Sequence, residues 1–220
     1  MRILTLASAA LLLATPALAA PAAIVEDAEG GVVGVEALDY VDAGRVIELK
    51  PGGVLVLGYL KSCVHETIRG GGTVKIGAEQ SEVTGGRVER KTNPCDGGKL
   101  QLTTAQAGKS GAMVFRKAPT AQAGAAKSAA ADLTIYGISP VVALGAGAAA
   151  KNRITFERID QSGAPIAVDV TGAKTDLAKS GVRLAPGGLY RASAGERSLV
   201  VQIDAAAASG GPVTGRLIQF

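Results

Sequence analysis

Between Gly44 and Cys95, apolar and polar residues alternate in short runs, each ended by glycines. Arg45–Leu49 and Val54–Leu60 flank Lys50-Pro-Gly-Gly53, a pattern that predicts two strands joined as a hairpin by a tight turn. Further runs follow at Val64–Ile68, Thr73–Gly77, Glu82–Thr84, Arg87–Lys91 and Lys99–Thr103. Alternation sorts their faces: Val74 and Ile76 point one way, Thr73, Lys75 and Gly77 the other. Val32–Leu38 reads as a strand preceding them, and Ala112–Arg116 as the strand that closes this part of the chain. Patterning resumes at Leu133–Ile138, Val141–Leu144, Arg153–Ile159, Ala164–Val170, Gly188–Arg191, Ser198–Ile203 and Val213–Phe220. About seven short strands in this last stretch predict an immunoglobulin-like sandwich. No segment carries a sustained helical period; Asp176–Lys179 is expected to form one helical turn, and Ala125–Ala131 is too short to be a stable helix by itself. The expected fold is all-β, with two antiparallel β domains.

The segment between the two patterned regions is rich in Ala, Gly, Lys and Gln. There Thr104-Ala-Gln-Ala-Gly-Lys-Ser110 returns as Thr120-Ala-Gln-Ala-Gly-Ala-Ala-Lys-Ser128. Two copies do not make a solenoid, so residues 118–131 are read as an Ala-rich linker. Residues 20–117 then form a first β domain, and 132–220 the sandwich.

The N-terminus decides the compartment. Arg2, the apolar run Ile3–Leu13 and the small-x-small site Ala17-Leu-Ala19 have the layout of a cleaved signal peptide, residues 1–19. The run is shorter than the ~20 residues that span a bilayer. The mature chain is therefore expected in the periplasm, exported by a Sec-type signal and with no membrane span. In that oxidising setting Cys63 and Cys95, the only two cysteines, predict one disulfide stapling the first domain.

Composition removes several function classes. Formal charge is +4, or +3 once Arg2 leaves with the leader, too little to argue for nucleic acid. Trp is absent, and four Tyr and three Phe leave few rings for stacking on sugars or bases. Gly108-Lys-Ser110 lacks the leading glycine of a phosphate loop, since position 103 is Thr. Gly145-Ala-Gly147 leads into a strand, with no helix N-terminus to hold a pyrophosphate. No Gly-x-Ser-x-Gly elbow occurs.

His65 is the single histidine, so a catalytic triad or a metal set would have to be built on it. A zinc or copper site joining His65 to Cys63, Cys95 and Asp96 would need both sulfurs as thiolates, which export opposes. His65 is expected on the polar face of its strand beside the bridge. Glu79 with Glu82, and Glu26 with Asp27 and Glu29, are read as solvated turns, the latter near a frayed mature N-terminus. Arg87-Val-Glu-Arg-Lys91 places Arg87, Glu89 and Lys91 on one face, either plain solvated surface or a small anion-binding patch. His65, Arg87 and Arg90 are the candidate binding residues. No metal, cofactor or catalytic residue is assigned.

One resemblance adds to this reading. The succession Val33–Leu38, Gly44–Leu49, Pro51-Gly-Gly53, Val54–Leu60 and the short strands to about Gly86 resembles the β-domain of bacterial FecR-type proteins, over about a third of the chain. The resemblance implies a periplasmic sensor or scaffold domain in envelope signalling. The family's anti-sigma segment and transmembrane helix are missing, so direct sigma-factor regulation is not expected, and no functional residue carries over. The combined expectation is a non-catalytic periplasmic module that binds an envelope or periplasmic protein in signalling or assembly. The alternative is an exported hydrolase or metal-dependent enzyme using His65. No oligomeric state follows from the pattern.

Overall fold

The computed structural model describes residues 21–97, 130–145 and 151–220. The expected leader, the strands at Lys99–Thr103 and Ala112–Arg116, and residues 118–129 of the expected linker lie outside the described residues. What is described is built from strands and two short 3-10 turns. The first half comprises β1 (Pro21–Glu29), β2 (Tyr40–Asp42), β3 (Val46–Leu49), β4 (Val54–Tyr59), β5 (Val64–Arg69), β6 (Gly72–Lys75), β7 (Glu82–Thr84) and β8 (Arg87–Thr92). They form one sheet in the order β2-β1-β4-β5-β8 and a second in the order β3-β6-β7. Ala23, Val25, Leu55, Leu57, Tyr59 and Ile68 of the first sheet pool with Ile47, Leu49, Val74 and Ile76 of the second in one apolar cluster, so the sheets pack face to face. The predicted inward pair Val74 and Ile76 is buried.

The second half comprises β9 (Leu133–Gly137), β10 (Val141–Ala143), β11 (Lys151–Arg158), β12 (Ile166–Thr171), β13 (Lys174–Asp176), β14 (Leu189–Ala194), β15 (Arg197–Ala208) and β16 (Leu217–Gln219), with 3-10 turns at Leu177–Ser180 and Val213–Gly215. Its sheets run β12-β11-β14-β15-β9 and β13-β10-β16 around Ile135, Val142, Phe156, Tyr190, Val201 and Ile218. The expected helical turn appears as the first 3-10 turn. The Asp176 carboxylate accepts from the Ala178 N–H at its start, and Gly181, at φ +71°, ends it.

Three expectations are corrected. Arg45–Leu49 and Val54–Leu60 do not pair: β3 joins β6, while β4 lies between β1 and β5. The Gly53 N–H donates to the Lys50 carbonyl at 2.9 Å and Gly52 takes φ +83°, a turn with proline second and a left-handed glycine third. Such a turn does not follow the twist of a hairpin. It carries the chain from one sheet to the other, so Leu49 and Leu55 meet across the core. Second, Val32–Leu38 makes only an isolated bridge, Val32 to Leu49. The strand that leads the sheet is β1, which contains Glu26, Asp27 and Glu29, so these are strand residues and not the solvated turn expected from the pattern. Third, the second half is not purely antiparallel: β9 runs parallel to β15 and β10 parallel to β16. In addition, Val213–Phe220 starts as a 3-10 turn, and only Leu217–Gln219 is strand.

A buried ion pair ties the smaller sheet of the second half to its surroundings. Arg216, 6% exposed, gives two hydrogen bonds at 3.0 Å to the Asp176 carboxylate, one at 2.7 Å to the Ser139 carbonyl and one at 3.2 Å to that of Gly211. Burial by itself raises the Asp176 carboxyl. The hydrogen bonds from Arg216 and Ala178 outweigh that and hold it below the usual carboxylate range. Because its folded pKa lies below its unfolded one, the stabilisation is complete above about pH 4 and disappears as pH falls through the depressed folded value. Thermal melts from pH 5 downward should therefore show a steeper fall in Tm for the native chain than for Asp176→Asn.

Candidate functional site

The chemistry-bearing residues gather on the outer face of the first five-stranded sheet, where the second half covers part of it. β1 carries a bulge between Val25 and Asp27, and this places Glu26 over β4. From the bulge the Glu26 side chain reaches over Gly58 of β4, which pairs with Ile24 on one side and with His65 of β5 on the other. The missing side chain at Gly58 opens the space between Glu26 and His65. A Cβ there would fall almost onto Glu26 Oε1 and within 2.6 Å of Thr214 Cγ2. Across that gap His65 Nε2 lies 3.3 Å from Glu26 Oε2, and the Thr214 N–H donates to Glu26 Oε1 at 3.3 Å. The Glu26 side chain is 8% exposed and that of His65 is 21%. A buried carboxylate thus bridges the chain's one imidazole and a backbone N–H of the second half.

Further contacts extend this seam in both directions. Ile24 and Leu60 belong to the apolar cluster of the second half, with Leu38, Tyr40 and Cys95 packed against it. The Thr134 N–H donates to Asp96 at 3.1 Å, directly after the bridge between Cys63 and Cys95. At the far end Lys174 donates to the Leu38 carbonyl, lies 3.9 Å from Asp39 and sits 4.4 Å from the centre of the Tyr40 ring. Burial lowers the Lys174 ammonium below its ordinary range, against the pull of Asp39. Burial also pushes the Tyr40 phenol up to about 12, although Gln219, donating at 2.7 Å, opposes the shift.

Beneath His65, on the inner face of β5, Glu66 is fully buried. It accepts from Arg90 Nε at 2.7 Å and from both the hydroxyl and the N–H of Ser81. Arg90 also donates to the Ser81 carbonyl at 2.7 Å. The Tyr59 hydroxyl is buried nearby without a well-formed hydrogen bond, and burial together with the Glu66 charge pushes its phenol far up. Arg90, a candidate binding residue, is thus turned inward to neutralise Glu66. His65 is engaged with Glu26, and only Arg87 of the three faces solvent without an ion pair among the described residues.

The family models, the curated proteins and the solved structures give no match to this chain. What the site can do rests on its own geometry. The Glu26–His65 pair can hold a proton, but Thr214 approaches it with an N–H and a methyl, not a hydroxyl. Among the described residues no group of three or more His, Cys, Asp or Glu side chains could hold a metal ion. No helix among them is long and apolar enough to cross a membrane.

The signal for Glu26 was present in the sequence as Gly58, an isolated glycine inside an apolar strand and a mark of close approach by another group. Gly58→Ala should push the Glu26 carboxylate off His65 and Thr214. The expected cost is about 1–3 kcal/mol of stability, measured by urea unfolding.

Proposed function

We propose that this chain is a non-catalytic, exported β protein that serves the cell envelope as a binding, sensor or scaffold module. The carrying observation is the seam: the one histidine is committed to a buried carboxylate that joins the two halves, so the geometry favours a rigid platform over a reacting centre. Residues 20–117 take the part of a FecR-like β domain and 132–220 that of an immunoglobulin-like sandwich. The five- and three-stranded sheets sharing one core support the second assignment. Export with a cleaved 1–19 leader agrees with the disulfide. An envelope or periplasmic protein is the partner.

A second reading draws on the same pair: a carboxylate holding an imidazole is the orienting half of general-base catalysis. His65→Gln separates the two. On the platform reading it weakens the seam by about 1 kcal/mol and leaves in-cell cross-links to envelope proteins unchanged. On the catalytic reading it abolishes hydrolysis of ester, amide or phosphate test substrates by the native protein. A native chain that turns over such a substrate, and loses that turnover in His65→Gln, would overturn the platform reading.

A further inference from the structure

The outer rows of β5 and β8 break a rule that sheets ordinarily keep. Residues directly opposite one another across antiparallel strands stand about 5 Å apart, and like charges there are destabilising. Here Arg69 faces Arg87 on one side of Thr67 and Glu89; on the other side Lys91 faces His65, which is engaged with Glu26. Glu89 is the one acid on these rows, 3.7 Å from Arg69, with both side chains more than half exposed. Arg87 and Lys91 are left exposed, about 13 Å apart along the strand. The inward-pointing Glu66 is neutralised by Arg90 from below and does not offset them.

Among the described residues the same strand is also an edge: β8 pairs with β5 alone, and every residue of Arg87–Thr92 except Val88 is exposed. An edge presents a row of unpaired N–H and C=O groups, a template for an added strand. The sheet therefore offers backbone hydrogen bonds in line with a charge sequence of plus, minus, plus at Arg87, Glu89 and Lys91.

We propose that β8 is a docking edge for an extended, acidic segment of a partner protein. The segment adds as an antiparallel strand and sets acidic side chains opposite Arg87 and Lys91, with a basic one opposite Glu89. Backbone pairing supplies affinity and the charge alternation fixes register. An anionic lipid surface is the weaker fit, because it would use two exposed cations, meet Glu89 between them and leave the backbone row unpaired. This inference rests on the platform reading and names the partner chemistry of that reading.

The test uses the mature chain and a short fluorescent peptide with the central run Glu-Thr-Lys-Val-Glu, followed by anisotropy at low ionic strength. Binding should be saturable and should protect β8 amides from hydrogen exchange. It should weaken about tenfold in the exposed double variant Arg87→Glu, Lys91→Glu. The charge-inverted peptide Lys-Thr-Glu-Val-Lys should bind that variant better than it binds the native chain. Arg87→Gln with Lys91→Gln, which introduces no new charge, should give an intermediate affinity, and unchanged melts certify both folds. Equal binding of the two peptides would overturn the proposal. So would failure of the native chain to bind, which would mean an edge occupied by other residues of the chain. Charge-dependent binding to phosphatidylglycerol vesicles without peptide binding would overturn it in favour of a membrane surface. None of these failures touches the in-cell cross-links that test the platform reading.

Discussion

Arg216→Ala is expected to lower the unfolding free energy by about 3–5 kcal/mol, the range found when one partner of a buried ion pair is removed. The mechanism lies in what stays behind. Asp176 keeps its carboxylate in a half-buried place with only the Ala178 N–H as a donor, and the Ser139 carbonyl, itself buried with its residue, loses its guanidinium. The cavity is awkward as well, because the aliphatic part of Arg216 fills the space a side chain at Gly137 would occupy, with Cγ and Cδ both 2.5 Å from a Cβ placed there. Loss of packing thus adds to loss of charge. A double-mutant cycle with Asp176→Asn isolates the pair, and a coupling below about 0.5 kcal/mol would show that the guanidinium acts mainly as filler. Guanidinium chloride is unsuitable for this measurement because it screens the pair; urea unfolding is the appropriate assay.

Cutting the bridge should cost nearly as much. Cys63 and Cys95 are separated by 32 residues, and for a loop of this length the chain-entropy model gives about 3–4 kcal/mol. The folded state adds a second contribution. Cys63 sits at φ +58°, a conformation non-glycine residues seldom adopt, at the start of β5. On the other side Cys95 packs against the second apolar cluster, and the next residue, Asp96, receives the Thr134 N–H. The bridge therefore also anchors the segment that meets the second half. Cys63→Ser with Cys95→Ser should lower Tm and, in addition, raise hydrogen exchange at the Thr134 amide. A lower Tm with unchanged exchange there would confine the bridge to the unfolded-state effect.

How much of this was legible depended on how many faces of a strand are covered. β5, β6, β7 and β8 have one face in the first core and one toward solvent, and their period-two pattern located them within a residue or two. β1 defeated the same reasoning. Ala23 and Val25 enter the first core while Ile24 enters the second, so a run buried on both faces shows no alternation, and the acidic residues after it resemble a turn. The candidate residues divide in the same way. The exposed side of β8, with Arg87, could be read from spacing. The inward turn of Arg90 could not, since its reason, Glu66, lies on a neighbouring strand 24 residues away in sequence. Glu26 and His65 were each visible; their meeting was not.

By itself, the sequence determined the all-β character and the faces of the half-exposed strands, and it pointed to the bridge between the only two cysteines. These are local matters: alternation, glycine punctuation and residue count act over a few positions. Tertiary structure alone decided which strands neighbour one another, that Lys50–Gly53 crosses between sheets, and that Glu26, Gly58, His65 and Thr214 converge. It also decided which charges are neutralised inside and which stay exposed on β8. Those outcomes depend on contacts between residues up to 188 positions apart. Such contacts form because burying apolar surface brings whole sheets together, and that driving force is non-directional and leaves no periodic trace along the chain.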